Sequence, residues 1–275
     1  MRRLPPKRVW EILPDLPENC SALFLSTLET GVVLADNIDT PKLLAITYRT
    51  VPPPMYFLYG EPDQYIIIKR FLKSLHTDTD LVIPNNMQSR IGKFWPIRFS
   101  VPIVFYAAQE SWRPVPIQDR EPDSISENIP ETCFRMLTLK DAPLLAKYFA
   151  HDSWLWEFVM TPEHLLEKGQ VAAAFIGQDP ACVAVTLAYS ERYMEMGVVT
   201  RAEYRGRGLA LDCCRLLGKE QYELSGRLPC WRTQAKNIGS VKVAKGLGLQ
   251  ETPSSGEYTF LSNYSHVGAY ATVAP

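Results

Sequence analysis

The stretch Gly197 to Leu211, GVVTRAEYRGRGLAL, constrains the fold more than any other part of the chain. Met194, Met196, Val198 and Val199 make a short apolar run suited to a buried strand. From Leu209 onward, Cys213, Leu216, Leu217 and Leu224 recur at helical spacing. The turn Arg205-Gly206-Arg207-Gly208 sits between them, where the first amides of a helix have no acceptor within the helix. Two glycines let a ligand approach that backbone, two arginines add positive charge, and the helix dipole adds about half a unit more. Geometry and charge together describe a seat for a phosphate or pyrophosphate. Taken alone, the turn reads equally as an ordinary solvated basic loop. It is not a P-loop, because no Gly-x-x-x-x-Gly-Lys-Ser/Thr is present, and no third glycine completes a dinucleotide fingerprint.

Composition narrows the classes. The 275 residues carry a formal net charge of −1, so a global attraction to nucleic acid is not expected. A hydrophobic share of 46% supplies ample core material, and 21% charged residues is an ordinary globular balance. Cys20, Cys133, Cys182, Cys213, Cys214 and Cys230 form no Cys-x-x-Cys pair, so neither a zinc site nor a disulfide framework is expected. A reducing, cytoplasmic setting fits that usage. The basic N-terminus runs into Pro5 and Pro6 rather than an apolar segment, which reads as no signal peptide, and no apolar run approaches the ~18 residues of a membrane span. His76, His151, His164 and His266 are scattered and read as surface or core residues rather than ligands.

In chain order, helices are expected near Val9–Leu13, Ala22–Leu28 and Tyr65–Leu75, with strands at 31–36, 45–49, 55–59, 80–83 and 97–107. Pro114, Pro116, Pro122 and Pro130, mixed with Asp119, Glu121, Asp123, Glu127 and Glu131, resist packing. The reading is therefore an N-terminal α/β domain over 1–115, a linker over 116–131 and a second domain over 132–275. The second domain is expected to run strand, helix (with Asp141 at its start), hairpin 171–187, strand 194–200, turn, helix, strand 229–233, helix 237–245 and strand 257–261. No turn of the Arg205 type occurs in the first half, whose role is structural or substrate-facing.

The order Arg205-Gly206-Arg207-Gly208-Leu209-Ala210 after a strand resembles the acyl-CoA signature Arg/Gln-x-x-Gly-x-Gly/Ala of the GNAT N-acetyltransferases. The resemblance continues through Trp231-Arg232-Thr233-Gln234-Ala235-Lys236-Asn237-Ile238-Gly239-Ser240 to Gly246-Leu247-Gly248, and covers roughly 132–265. More weakly, residues 31–36 and 56–62 resemble the two-part, zwittermicin A resistance-type branch of that family. The implied fold is mixed α+β, a GNAT fold in the C-terminal half with a smaller α/β N-terminal domain that is a degenerate copy of it.

The resemblance implies acetyl-CoA as acyl donor, with no metal. Backbone groups of Val198, Val199 and Thr200 would pair with the pantetheine arm, and amides from Arg205, Gly206, Arg207, Gly208, Leu209 and Ala210 would hold the pyrophosphate. Asn237 and Ser240 would lie near the thioester, although Asn237 also reads as a plain helix cap. A small-molecule amine would attack the thioester directly, its oxyanion met by an amide at Val198 or Val199. Glu195, the carboxylate inside the strand before the turn, is the candidate base, acting directly or through a water, against a reading as a strand-face residue paired with Arg192 or solvent. Many relatives carry a tyrosine where Ala244 stands here; either Ser240, Tyr258 or Tyr264 then protonates the departing thiolate, or the thiolate leaves unaided. The rival readings are a glycine-conjugating type of acyltransferase, a catalytically silent CoA-binding module, and nucleic-acid binding through Arg201, Arg205 and Arg207. Net charge and the lack of interleaved aromatics disfavour the last. Trp154, Trp156 and Phe158 are candidate walls of the acceptor cleft, or core.

Overall fold

The computed structural model describes residues 1–28, 31–48, 55–60, 65–75, 79–97, 99–116, 132–150, 155, 161–167 and 170–262. Trp154, Trp156, Phe158, His76, His151, His266, Tyr264 and nearly all of the expected linker fall outside them.

Residues up to 107 supply β1 (Arg2–Arg3), α1 (Pro6–Ile12), α2 (Cys20–Thr27), β2 (Gly31–Ala35), β3 (Leu43–Tyr48), β4 (Met55–Gly60), α3 (Tyr65–Ser74), β5 (Asp80–Pro84), α4 (Asn85–Ile91) and β6 (Phe99–Ala107). The remainder supplies β7 (Thr132–Met136), α5 (Ala142–Phe149), α6 (Pro162–Glu167), β8 (Val171–Ile176), β9 (Asp179–Tyr189) and β10 (Tyr193–Thr200). After these come α7 (Leu209–Ser225), β11 (Leu228–Gln234), α8 (Ile238–Gly246), β12 (Gln250–Glu251) and β13 (Tyr258–Ser262). The elements predicted from periodicity form, and the architecture is mixed α/β as expected. Helix α4 escapes the pattern because only Met87 and Ile91 are buried in its 7 residues, about two turns.

The strands join one sheet in the order β1-β2-β3-β4-β5-β13-β6-β11-β10-β9-β8-β7, with β12 pairing β6. Each half repeats one plan. Strands β2, β3 and β4 are antiparallel, then β4 pairs in parallel with β5 across the α3 crossover. Likewise β8, β9 and β10 are antiparallel, then β10 pairs in parallel with β11 across α7. The halves exchange a strand. β6, from the first half, lies on β11, while β13, from the second, fills the place between β5 and β6. The first half is also anchored beyond β6, where Trp112 donates from Nε1 to the Leu247 carbonyl at 2.9 Å and its ring meets Tyr222 of α7 edge-on.

Helices α3 and α4 cover one face of the first half, packing Ile68, Phe71, Leu72 and Met87 on Leu58, Leu81 and Leu261. Helices α5 and α6 cover the second half with Leu145, Phe149 and Leu165 on Ala173, Val183 and Val185. Helix α2 touches β2 and β3 as well as β9 and β10. Every residue from Cys20 to Ser26 is buried, as expected of a helix apolar all round and wedged between two walls.

Because β13 completes the first half from the far end of the chain, Leu261→Ala is expected to cost about 2–5 kcal/mol. Urea unfolding followed at both halves should show one shared transition moved to lower urea. A second local case concerns pH. Asp141 accepts from both Arg135 guanidinium nitrogens, at 2.9 and 2.6 Å, and from the Thr138 amide at 2.8 Å. The Arg135 hydrogen bond above all holds its carboxyl at about 2, below the ordinary 3.8. A depressed carboxylate stabilises above its unfolded value and loses that contribution as acid reprotonates it. Wild-type stability should therefore fall from about pH 4 to 2 more steeply than that of Asp141→Asn, as measured by urea midpoints.

Candidate functional site

β10 pairs with β11 only from Tyr193 to Glu195, opposite Leu228 to Cys230. Beyond that point β10 runs on to Thr200 along β9, and β11 runs on to Gln234 along β6, so the two strands part. The pairing of β10 with β9 shifts register between Glu195 and Met196, at the same place. The Arg201 amide donates to Ala181 of β9 at 3.0 Å. Strand alternation then turns the Val199 amide toward β9 and those of Val198 and Thr200 into the gap. Of the two amides proposed for an oxyanion, Val198 is the one so directed. The Thr200 carbonyl, facing the same way, accepts Arg205 Nε at 3.2 Å.

The basic turn follows at the mouth of that gap. Arg205 donates its amide back to the Ala202 carbonyl at 3.3 Å, closing a 3₁₀ turn, so this first amide of the expected pyrophosphate set is already spent. Gly206 and Gly208 take φ of 78° and 75°, a region that side chains other than glycine enter at a cost of about 1–2 kcal/mol. A Cβ on Gly206 would meet nothing within 4 Å, so the surface above it is clear. Gly208 caps α7, its carbonyl taking the Leu211 and Asp212 amides at 3.1 and 3.4 Å. The Leu209 and Ala210 amides precede the first intrahelical bond. Arg201 lies over the Tyr148 and Tyr204 rings at 4.5 and 5.1 Å, and Arg207 over Tyr204 at 5.4 Å. Arg201 is also paired with Glu203 at 2.5 Å, which offsets its charge, so Arg207 is the stacked cation that adds to the dipole field at the helix mouth.

On the far side of the gap, Asn237 caps α8 by accepting the Ser240 amide at 3.1 Å. Ser240 Oγ in turn accepts Trp231 Nε1 at 2.8 Å, which leaves its own hydrogen as a donor. Ala244 is fully buried.

Glu195 occupies the closing point of the gap and is 3% exposed. Its partner is not Arg192 but Arg232, whose Nε donates to Oε1 at 2.9 Å, while Ser21 of α2 donates to Oε2. Arg192 instead pairs with Glu110. The Arg232 guanidinium also lies over the Phe57 ring at 5.2 Å. Close by, Tyr258 meets Phe105 and Tyr59 edge-on. Burial first, then Glu18 and Glu257, push the Tyr258 hydroxyl up to about 12, and burial lifts Tyr59 well above its ordinary value. Sequence reasoning missed Arg232 and Ser21. Arg232 had a signal, a charge alternating with Cys230 in an apolar strand; Ser21 had none. Among the described residues, no group of three or more His, Cys, Asp or Glu is placed to hold a metal ion, and no helix is long and apolar enough to cross a membrane. His164 is exposed on α6.

A family sequence model described as GNAT acetyltransferase matches residues 18–260. The chain belongs to the GNAT acetyltransferase family. No curated protein matches it. The solved structures it is similar to include a GCN5-related N-acetyltransferase-like protein from Streptococcus suis 89/1591, at a TM-score of 0.65 and 17% identity over 94% of this chain and 98% of that one. A GCN5-related N-acetyltransferase from Kribbella flavida superposes at 0.58, with 10% identity over 93% and 98% of the two chains. A GNAT-family acetyltransferase from Colwellia psychrerythraea gives 0.55 and 11%, over 91% of each. At these identities the structural likeness bears on the fold, and it spans both halves of this GNAT chain.

If CoA sits on this turn, Gly206→Ala is expected to leave the melting temperature within a few degrees while weakening CoA binding about tenfold, since the added methyl group projects into the clear surface above the turn. Isothermal calorimetry of the two proteins checks it.

Proposed function

We propose that this protein transfers an acyl group, acetyl by default, from acyl-CoA to the amine of a small molecule, by direct attack in a ternary complex. The observation that carries the reading is the parting of β10 from β11 after Glu195, with the αL glycine turn at its mouth. A pantetheine arm is a thin polar chain that can pair with the Val198 and Thr200 backbone as a strand would. The amides from Gly206 to Ala210 suit a pyrophosphate at a helix N-terminus. The chemistry that acyl-CoA supplies is an activated thioester carbonyl.

The chain's own residues then have distinct tasks. Val198 N–H is aimed where negative charge develops on that carbonyl. Glu195 takes a proton from the bound substrate ammonium, directly or through a water, and so frees the neutral amine that attacks. Ser240, oriented by Trp231, is the proton donor to the departing thiolate on the α8 side, where Ala244 removes the tyrosine that many relatives use. Tyr258 is protonated throughout the physiological range and is the second candidate donor. The two-part build supports a place in the zwittermicin A resistance-type branch, with 1–115 and 132–275 as its parts.

Calorimetry with CoA, followed by thiol release from acetyl-, propionyl- and benzoyl-CoA across a panel of primary amines, tests the reading. CoA uptake and acetyl transfer to at least one amine are expected, with Glu195→Gln lowering kcat about 10²–10⁴-fold at unchanged CoA affinity. No CoA uptake by folded protein sinks the proposal. CoA uptake without transfer to any amine favours a silent CoA-binding module, preferential benzoyl transfer favours the glycine-conjugating type, and normal turnover by Glu195→Gln removes Glu195 as base.

A further inference from the structure

The sequence of the first half carries no turn of the Arg205 type, yet this half reaches the point where β10 and β11 part. Helix α2 lies across the seam against β9 and β10, and Ser21 in its first turn is 1% exposed. A serine in an apolar helix commonly returns its hydroxyl to a carbonyl of the preceding turn. Ser26 does so, to Leu23 at 2.7 Å. Ser21 instead donates to Glu195 Oε2, across 174 residues of sequence. Arg232 reaches the other oxygen from β11.

These two donors come from different elements and fix both carboxylate oxygens. The last torsion of a glutamate side chain is broad and roughly two-fold. A single donor on Oε1 leaves Oε2 free to swing about that axis; a second donor on Oε2 removes the freedom. We propose that Ser21 is a positioning residue for the Glu195 carboxylate, so that the reactive centre is composite and the N-terminal half completes it. The inference rests on the reading of Glu195 as the base. An ionised carboxylate offers about four lone-pair sites, so two occupied sites leave others for the ammonium proton or a bridging water. Ser21 keeps its own hydrogen throughout, and the transferred proton passes from the ammonium to Glu195.

The test is a double-mutant cycle on the full-length protein, with Ser21→Ala, Glu195→Gln and the double variant, assayed with acetyl-CoA and the primary-amine panel. The expected result is a tenfold or greater loss of kcat in Ser21→Ala, with the KM for acetyl-CoA and the calorimetric CoA affinity unchanged. Added to Glu195→Gln, Ser21→Ala should cost nothing more. No loss of kcat, or an equal loss in both backgrounds while Glu195→Gln is itself impaired, overturns the inference and leaves the base standing. Wild-type turnover by Glu195→Gln removes the base and this inference together. An infrared arm needs no acceptor: the spectrum of wild type minus Glu195→Gln isolates the carboxylate stretch. That band should shift in Ser21→Ala, and an unmoved band overturns the proposal.

Discussion

β10 and β11 part after Glu195 while each keeps its outer partner. β10 is bonded to β9 as far as Thr200, and β11 to β6 as far as Gln234. The register of β10 on β9 shifts at the same place, between Glu195 and Met196, and irregularities of this kind bend and twist a strand locally. The consequence is a row of inner-edge amides and carbonyls with no sheet partner. Backbone groups of that kind are costly to leave unmade away from water. A ligand that supplies hydrogen bonds along the edge offsets the cost, and so the gap is suited to an extended, polar chain.

At the apex of the gap the chain buries a charge pair. Glu195 and Arg232 have side chains only 4% and 14% exposed. Such pairs stabilise little, since desolvation consumes most of the Coulomb attraction, and well-packed apolar residues often serve stability as well. Keeping one here is in keeping with a role other than stability. The aromatic ring of Phe57, under Arg232, comes from the first half, as does the Ser21 hydroxyl. The two halves are thus joined by hydrogen-bonded strands at the sheet and by polar side chains at the centre.

The sequence made the local pieces of this design legible. The strand, turn and helix around Arg205 were visible because glycine marks αL positions and apolar spacing marks helices, and Gly206, Gly208 and the Asn237 cap lie where those rules put them. Single-residue detail was less visible. The Arg205 amide is spent in a 3₁₀ turn and the Val199 amide is turned toward β9, outcomes of register that composition does not record. Arg232 replaced Arg192 as the partner of Glu195 because cross-strand neighbours in a parallel pair come from another strand, not from the same run of sequence. Least visible was the exchange of β6 and β13. Both strands read correctly as strands, but nothing in their alternation says which edge they will join.

That exchange has a bearing on how the chain is made. During synthesis, residues 1–107, which carry β5 and β6, leave the ribosome before the strand that lies between them in the finished sheet. The strand that belongs there, Tyr258–Ser262, is among the last described residues to emerge. Contacts so distant along the chain form slowly, and exposed strand edges are prone to wrong pairing while they wait. The first-made half of this protein is therefore completed by one of its last-made strands, and until that strand arrives the facing edges of β5 and β6 have no native partner between them.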